Sequence, residues 1–161
     1  MLDHVNSMSA EEFVAAYGEI FEQSPWVASR AWNHRPFQSL YHLRDSMKLE
    51  VERASYEEQL ALIRAHPDLG TRAQVSLNSA SEQAGAGLDQ LTMEEYQSLL
   101  ELNTSYLETF CFPFIFAVKG SGKTEIFAAL ERRLHSSQDE EFAEALRQIY
   151  LIARYRLEQK Q

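Results

Sequence analysis

Apolar residues recur at three- and four-residue intervals along most of the chain, with polar residues between them. After Ser9, the stretch EEFVAAYGEIF puts Phe13, Ala16, Tyr17, Ile20 and Phe21 on one face. Ser24 is expected to cap a second helix with Pro25 at its first position, and Trp26 and Trp32 to anchor its packing. His34-Arg35-Pro36 interrupts the pattern, and a helix over about 39–53 then carries Leu40, Leu43, Met47 and Val51 as its stripe. A shorter helix with Leu60 and Ile63 runs up to Pro67, and Thr92 opens another with Leu99, Leu100, Leu102 and Tyr106 inward. EIFAALERRL presents Ile126, Phe127, Leu130 and Leu134, and a closing helix over about 140–158 buries Phe142, Leu146, Ile149, Ile152 and Ala153. Reciprocal capping pairs mark the starts: Ser9/Glu12, Ser55/Glu58, Ser79/Glu82, Thr92/Glu95 and Ser137/Glu140. The run FCFPFIFAV is uniformly apolar, so periodicity does not distinguish a buried strand from a buried helix there. The pattern predicts an all-α fold, a single-domain multi-helix bundle of about eight helices over 1–161.

Composition narrows the function classes. The hydrophobic fraction of 45% in 161 residues suits one globular domain. Fifteen basic against 24 acidic residues give a net charge of -9, which repels nucleic acid and anionic membrane surfaces. The N-terminal residues carry no basic start followed by an apolar run, no segment approaches the length of a membrane span, and RLEQKQ is no retention or peroxisomal signal. A cytoplasmic protein with neither nucleic-acid nor membrane partners is expected. The single cysteine, Cys111, lies between Phe110 and Phe112 and is read as a small buried hydrophobe. His42 has no Cys or second His at ligand spacing, and HExxH, CxxC and a carboxylate-rich calcium loop are all missing from the sequence, so no metal is expected.

Ala117-Val118-Lys119-Gly120-Ser121-Gly122-Lys123-Thr124 nearly matches a nucleotide phosphate loop and fails only at the first glycine. The residues after Thr124 all follow helical patterns, and no apolar strand ending in Asp is left to hold magnesium. A Gly/Ser turn with Thr124 capping the next helix is therefore preferred to an NTPase site.

Reactive side chains concentrate in 64–87, RAHPDLGTRAQVSLNSASEQAGAG. Pro67 disfavours helical geometry at the residue before it, so His66 stands at the end of a helix, where converging carbonyls favour a cation. His66 reads either as a C-terminal cap or as a proton donor. Ser79-Ala80-Ser81-Glu82-Gln83 begins a helix one loop later, and a reversal over Leu69-Gly70 brings Glu82 and Gln83 toward the imidazole. Glu82 reads equally as a capping-box residue or as a directional hydrogen-bond partner beside exposed helix N–H groups.

AHPDLG, SEQAGAGLDQL, LNTSYLETFCFPFIFAVKG, EIFAALERRL and EALRQIYLIARYRL occur in that order and together resemble one family. It is the 2-oxo-4-hydroxy-4-carboxy-5-ureidoimidazoline (OHCU) decarboxylases of uric acid breakdown, and the resemblance spans about 11–157. It implies an all-helical, cofactor-free enzyme that decarboxylates OHCU to (S)-allantoin, and a homodimer. It also makes GSGKT a variable connection. Position by position it implies that His66 is the catalytic histidine, with Glu82 sharing the catalytic site, and that Pro67 gives a backbone contact. Ser79, Ala80, Ser81 and Gln83 then belong to the substrate-binding helix start. Ile115, Phe116, Ala117, Val118 and Lys119 form the segment whose backbone meets the ureido and ring groups, and Arg156 is the arginine near the C-terminus. Cys111 stands where relatives often have Gly. A non-catalytic helical module binding an acidic metabolite or a partner protein through the same pocket is the other reading.

Overall fold

The structure is a computed structural model and describes residues 2–68, 91–118 and 121–160. Among them are eight α-helices and one 3-10 turn (Trp32–His34) and no strand, so the all-α expectation holds. The helices are α1 Leu2–Ser7, α2 Ala10–Tyr17, α3 Trp26–Ala31, α4 Leu40–Glu52, α5 Tyr56–Ala65, α6 Met93–Phe110, α7 Lys123–Arg133 and α8 Gln138–Gln159. They divide between two compact units, Met1–Ala65 with Tyr150–Gln161, and His66–Ile149.

In the first unit α2 starts as its pattern predicts. The Ser9 hydroxyl accepts from the Glu12 N–H at 3.1 Å while the Glu12 carboxylate accepts from the Ser9 N–H at 3.1 Å. Phe13 is fully buried and packs on Tyr17 and Phe37, with ring centroids 5.0 and 5.7 Å away. Val27, Ala28, Leu43, Met47, Val51, Leu62 and Ile63 complete an apolar core in which each residue occupies the inward face of its helix. Ser39 caps α4 by accepting from the His42 N–H, and the Glu58 carboxylate accepts from the Ser55 N–H ahead of α5. The start of α3 differs from expectation. Ser24 donates its hydroxyl to the Glu22 carbonyl at 2.8 Å, so that side chain is used within the preceding turn, and Pro25 occupies the N-cap with no side-chain cap. Trp26 and Trp32 are half-buried, under the guanidinium groups of Arg30 and Arg35 respectively.

In the second unit a complete capping box of Thr92 and Glu95 starts α6, whose inward face carries Leu99, Asn103, Tyr106 and Phe110. The following apolar run leaves the helix and takes up neither helix nor strand, which answers the ambiguity of its pattern. Its aromatic rings fill the core beside α6: Tyr106 lies 4.6 Å from Phe110, 6.1 Å from Phe112 and 5.2 Å from Phe114. Cys111 corrects the expectation of a buried residue, because it is exposed. It ends α6 in the left-handed region, φ 64°, with its N–H donating to the Leu107 carbonyl at 2.8 Å, and that conformation turns its side chain away from the flanking phenylalanines. The start of α7 is also corrected. Gly122 is the N-cap, its N–H donating to the Glu125 carboxylate at 2.8 Å, and Thr124 lies inside the helix.

Candidate active site

His66 directly follows the last residue of α5, as the helix-ending effect of Pro67 requires. The imidazole is 6% exposed with its Nε2 buried, whereas Pro67 is exposed. A buried imidazole exchanges protons with what its pocket holds and not with bulk water, which suits acid–base chemistry. His66 belongs to the same compact unit as Ile115, Phe116, Ala117 and Val118.

The Phe114 and Phe116 rings stack with centroids 6.0 Å apart and planes 9° from parallel, so these alternate residues share a face and the backbone runs strand-like. Such a segment must satisfy its own N–H and C=O groups without a sheet. Helix side chains do so on one edge. Arg133 of α7 donates an Nη1–H to the Ile115 carbonyl at 2.7 Å, and the Gln148 Oε1 of α8 accepts from the Ala117 N–H at 2.9 Å. Beyond them, the Val118 carbonyl accepts from the Ser121 N–H at 3.0 Å.

Both tethers are themselves held. The Arg133 Nε–H donates to Glu141 at 2.8 Å, and the Tyr106 hydroxyl donates to the same carboxylate oxygen. Arg133 also lies 4.4 Å from the centre of the Phe114 ring. Burial and the hydrogen bond to Glu141 push the Tyr106 phenol well above its usual range, so it stays a neutral donor. Gln148 donates its amide to Glu144 at 2.7 Å. Burial raises the Glu144 carboxyl, but hydrogen bonds from Arg147 and Gln148 outweigh it and hold the group below the ordinary value of 4.5.

Arg156 lies in the other unit. Its guanidinium pairs with the Glu22 carboxylate at 2.7 Å and donates to the carbonyls of Glu19 and Ile20 at 3.3 and 3.2 Å. Ser79, Ala80, Ser81, Glu82, Gln83 and Lys119 lie outside the described residues.

Two other features do not fit an anionic ligand. Lys123, the key cation of a phosphate loop, is paired with Glu95 at 3.0 Å and sits in the first turn of α7. An open groove of about 620 Å³ between α6 and α7 is lined by Glu94, Glu95, Glu101 and Glu131, and four carboxylates there repel a carboxylate or phosphate. Among the described residues no three His, Cys, Asp or Glu side chains could hold a metal ion, and no helix is long and apolar enough to cross a membrane.

Sequence reasoning missed Arg133, Glu141 and Gln148. The signal was a polar residue on an apolar stripe. Arg133 continues the buried spacing Ile126, Ala129, Leu130, and Glu141 and Gln148 flank buried Ala145 on α8.

A family model described as OHCU decarboxylase matches residues 6–158. The chain is 48% identical over 159 residues to the 2-oxo-4-hydroxy-4-carboxy-5-ureidoimidazoline decarboxylase of Haloferax volcanii, covering 99% of this chain and 95% of that one. It is 43% identical to the protein of the same name from Halalkalicoccus jeotgali, covering 98% of this chain and 90% of that one. A crystal structure of (S)-allantoin synthase superposes with a TM-score of 0.83 at 29% identity; the match covers 99% of this chain and about half, 54%, of the other.

Proposed function

The chain belongs to the OHCU decarboxylase family, and from that membership we infer that it performs the OHCU decarboxylation step of uric acid degradation. The observation that carries the reading is the agreement with named decarboxylases over nearly the whole chain, at 48% and 43% identity for the two relatives above. A buried histidine at the end of α5 and a tethered backbone segment in the same unit are what such chemistry needs.

Losing CO2 breaks the bond between the carboxylate and the ring carbon that bears the hydroxyl. The electron pair forms a C=C bond to the ureido-bearing carbon as the ring C=N pair moves to nitrogen, which takes up a proton. The resulting enol then takes a proton at the ureido-bearing carbon and releases its hydroxyl proton to become a carbonyl. Because the substrate carries its own electron sink, the reaction is proposed to need neither a metal nor an organic cofactor. His66 exchanges a proton with the substrate hydroxyl or ring, and Glu82 orients that partner. Backbone groups at Pro67 and within 115–119, with Ser79, Ala80, Ser81 and Gln83, hold the ring and ureido oxygens and N–H groups. Arg156 binds an anionic oxygen by exchanging it for Glu22. Protonation from one side sets the (S) configuration of allantoin. The enzyme is proposed to act as a cytoplasmic homodimer of one domain per chain.

The test is the rate at which OHCU, generated from urate by the upstream oxidase and hydrolase, disappears on addition of the protein. Acceleration by the wild type, with His66→Ala slower by at least about a hundredfold, supports this reading. Wild-type turnover in His66→Ala overturns the histidine-centred mechanism.

A further inference from the structure

The Arg133–Ile115 and Gln148–Ala117 hydrogen bonds lie on one edge of a segment that no sheet supports among the described residues. In a strand-like segment, the C=O of one residue and the N–H of the residue two further on point the same way. Arg133 and Gln148 therefore act as a surrogate neighbouring strand built from two helix side chains. With the single Ala117 proton consumed, the N–H groups that this stretch offers to a ligand are those of Phe116 and Val118 on the opposite edge.

Both supports look built for rigidity. Arg133 is 3% and Gln148 6% exposed, and each is fixed by a carboxylate on α8, Glu141 and Glu144 respectively. A buried cation is costly unless its hydrogen bonds are met, and here three acceptors surround it: the Glu141 carboxylate, the Ile115 carbonyl and the Tyr106 hydroxyl oxygen. An apolar residue would fill the space without that cost. What the polar groups add is the direction of two backbone amides.

We propose that Arg133 and Gln148 are positioning residues for the decarboxylation, setting the line of the Ile115–Ala117 backbone so that its outer edge meets the ring and ureido groups of the substrate. This rests on the decarboxylase reading. Neither side chain touches the substrate; each acts through the peptide it holds.

Gln148 gives the cleaner test, since removing Arg133 leaves a buried carboxylate. Gln148→Met and Gln148→Asn withdraw the acceptor from Ala117. In Glu144→Gln/Gln148→Glu the pair is exchanged, so that residue 148 again accepts and residue 144 donates. Steady-state kinetics on OHCU, far-ultraviolet circular dichroism and thermal midpoints are measured on each, next to wild type. The single variants are expected to lose between about ten- and a hundredfold in kcat/KM while still folded, and the exchanged pair to recover most of it. Wild-type kcat/KM in either folded single variant, or a loss matched by unfolding and not recovered in the exchanged pair, overturns the positioning role. An inactive wild type instead overturns the decarboxylase reading, and the positioning role with it.

Discussion

Arg133 donates to Glu141 at 2.8 Å with the two side chains only 4% and 2% exposed, so a full ion pair lies inside the second unit. Breaking such a pair strands a charge, whereas removing both partners does not. Arg133→Met is expected to lower the unfolding free energy by about 3–5 kcal/mol, and Arg133→Met/Glu141→Leu to recover much of that loss. Urea unfolding of the four proteins of this cycle checks it. Equal stability of the single and double variants would contradict an interior pair.

Cys111 adopts φ 64° at the end of α6, a conformation that costs a residue with a Cβ roughly 1–2 kcal/mol and glycine little. Cys111→Gly is expected to stabilise the protein by about 1 kcal/mol, less the entropy that glycine adds to the unfolded chain. Calorimetry should find the midpoint raised by roughly 2–4 °C. A lowered midpoint would mean that the thiol's own contacts outweigh the strain.

The carboxyls of Glu12, Glu58, Glu95, Glu140 and Glu144 are all held below their ordinary value of 4.5. For Glu144 burial pulls the other way and hydrogen bonds prevail; for the others the leading causes are hydrogen bonds, from backbone N–H groups or, at Glu58, from Arg30. A depressed folded value means that the unfolded chain binds more protons near that pH. Their stabilisation is therefore present above the unfolded carboxylate value of about 4.3 and lost as pH falls through the lowered folded values. Thermal midpoints between pH 6 and 3 should decline on the acid side, less steeply in Glu144→Gln. An identical pH profile in that variant would remove Glu144 from the explanation.

Lys123 is committed to Glu95, and four carboxylates line the adjoining groove. ATP with magnesium at millimolar concentration is accordingly expected to leave the thermal midpoint unchanged. A rise that Lys123→Ala abolishes would revive the phosphate-loop reading.

Much of the helical frame was legible from spacing alone. The caps at Ser9, Ser55 and Thr92 are where the capping pairs put them, and the stripes through Leu43, Met47, Val51 and Ile126, Leu130 are where periodicity puts them. What failed was local competition for one group. Ser24 spends its hydroxyl on Glu22, and the Glu125 carboxylate moves the cap of α7 from Thr124 to Gly122. The apolar run over 110–118 could not be assigned from periodicity: Pro113 bars a continuous helix, but the partners that take up its backbone groups, Arg133 and Gln148, come from helices later in the chain. The helix end at His66 was legible because Pro67 fixes it, while the site roles of His66, Glu82 and Gln83 rest on the family resemblance.

Circular dichroism of the allantoin produced from OHCU tests the assignment most directly, since OHCU decays unaided to racemic allantoin. With OHCU made in the cuvette from urate, the wild-type protein is expected to yield an (S)-allantoin signal that grows faster than the unaided decay. Racemic allantoin formed at the uncatalysed rate, with folded protein and a verified supply of OHCU, would contradict it.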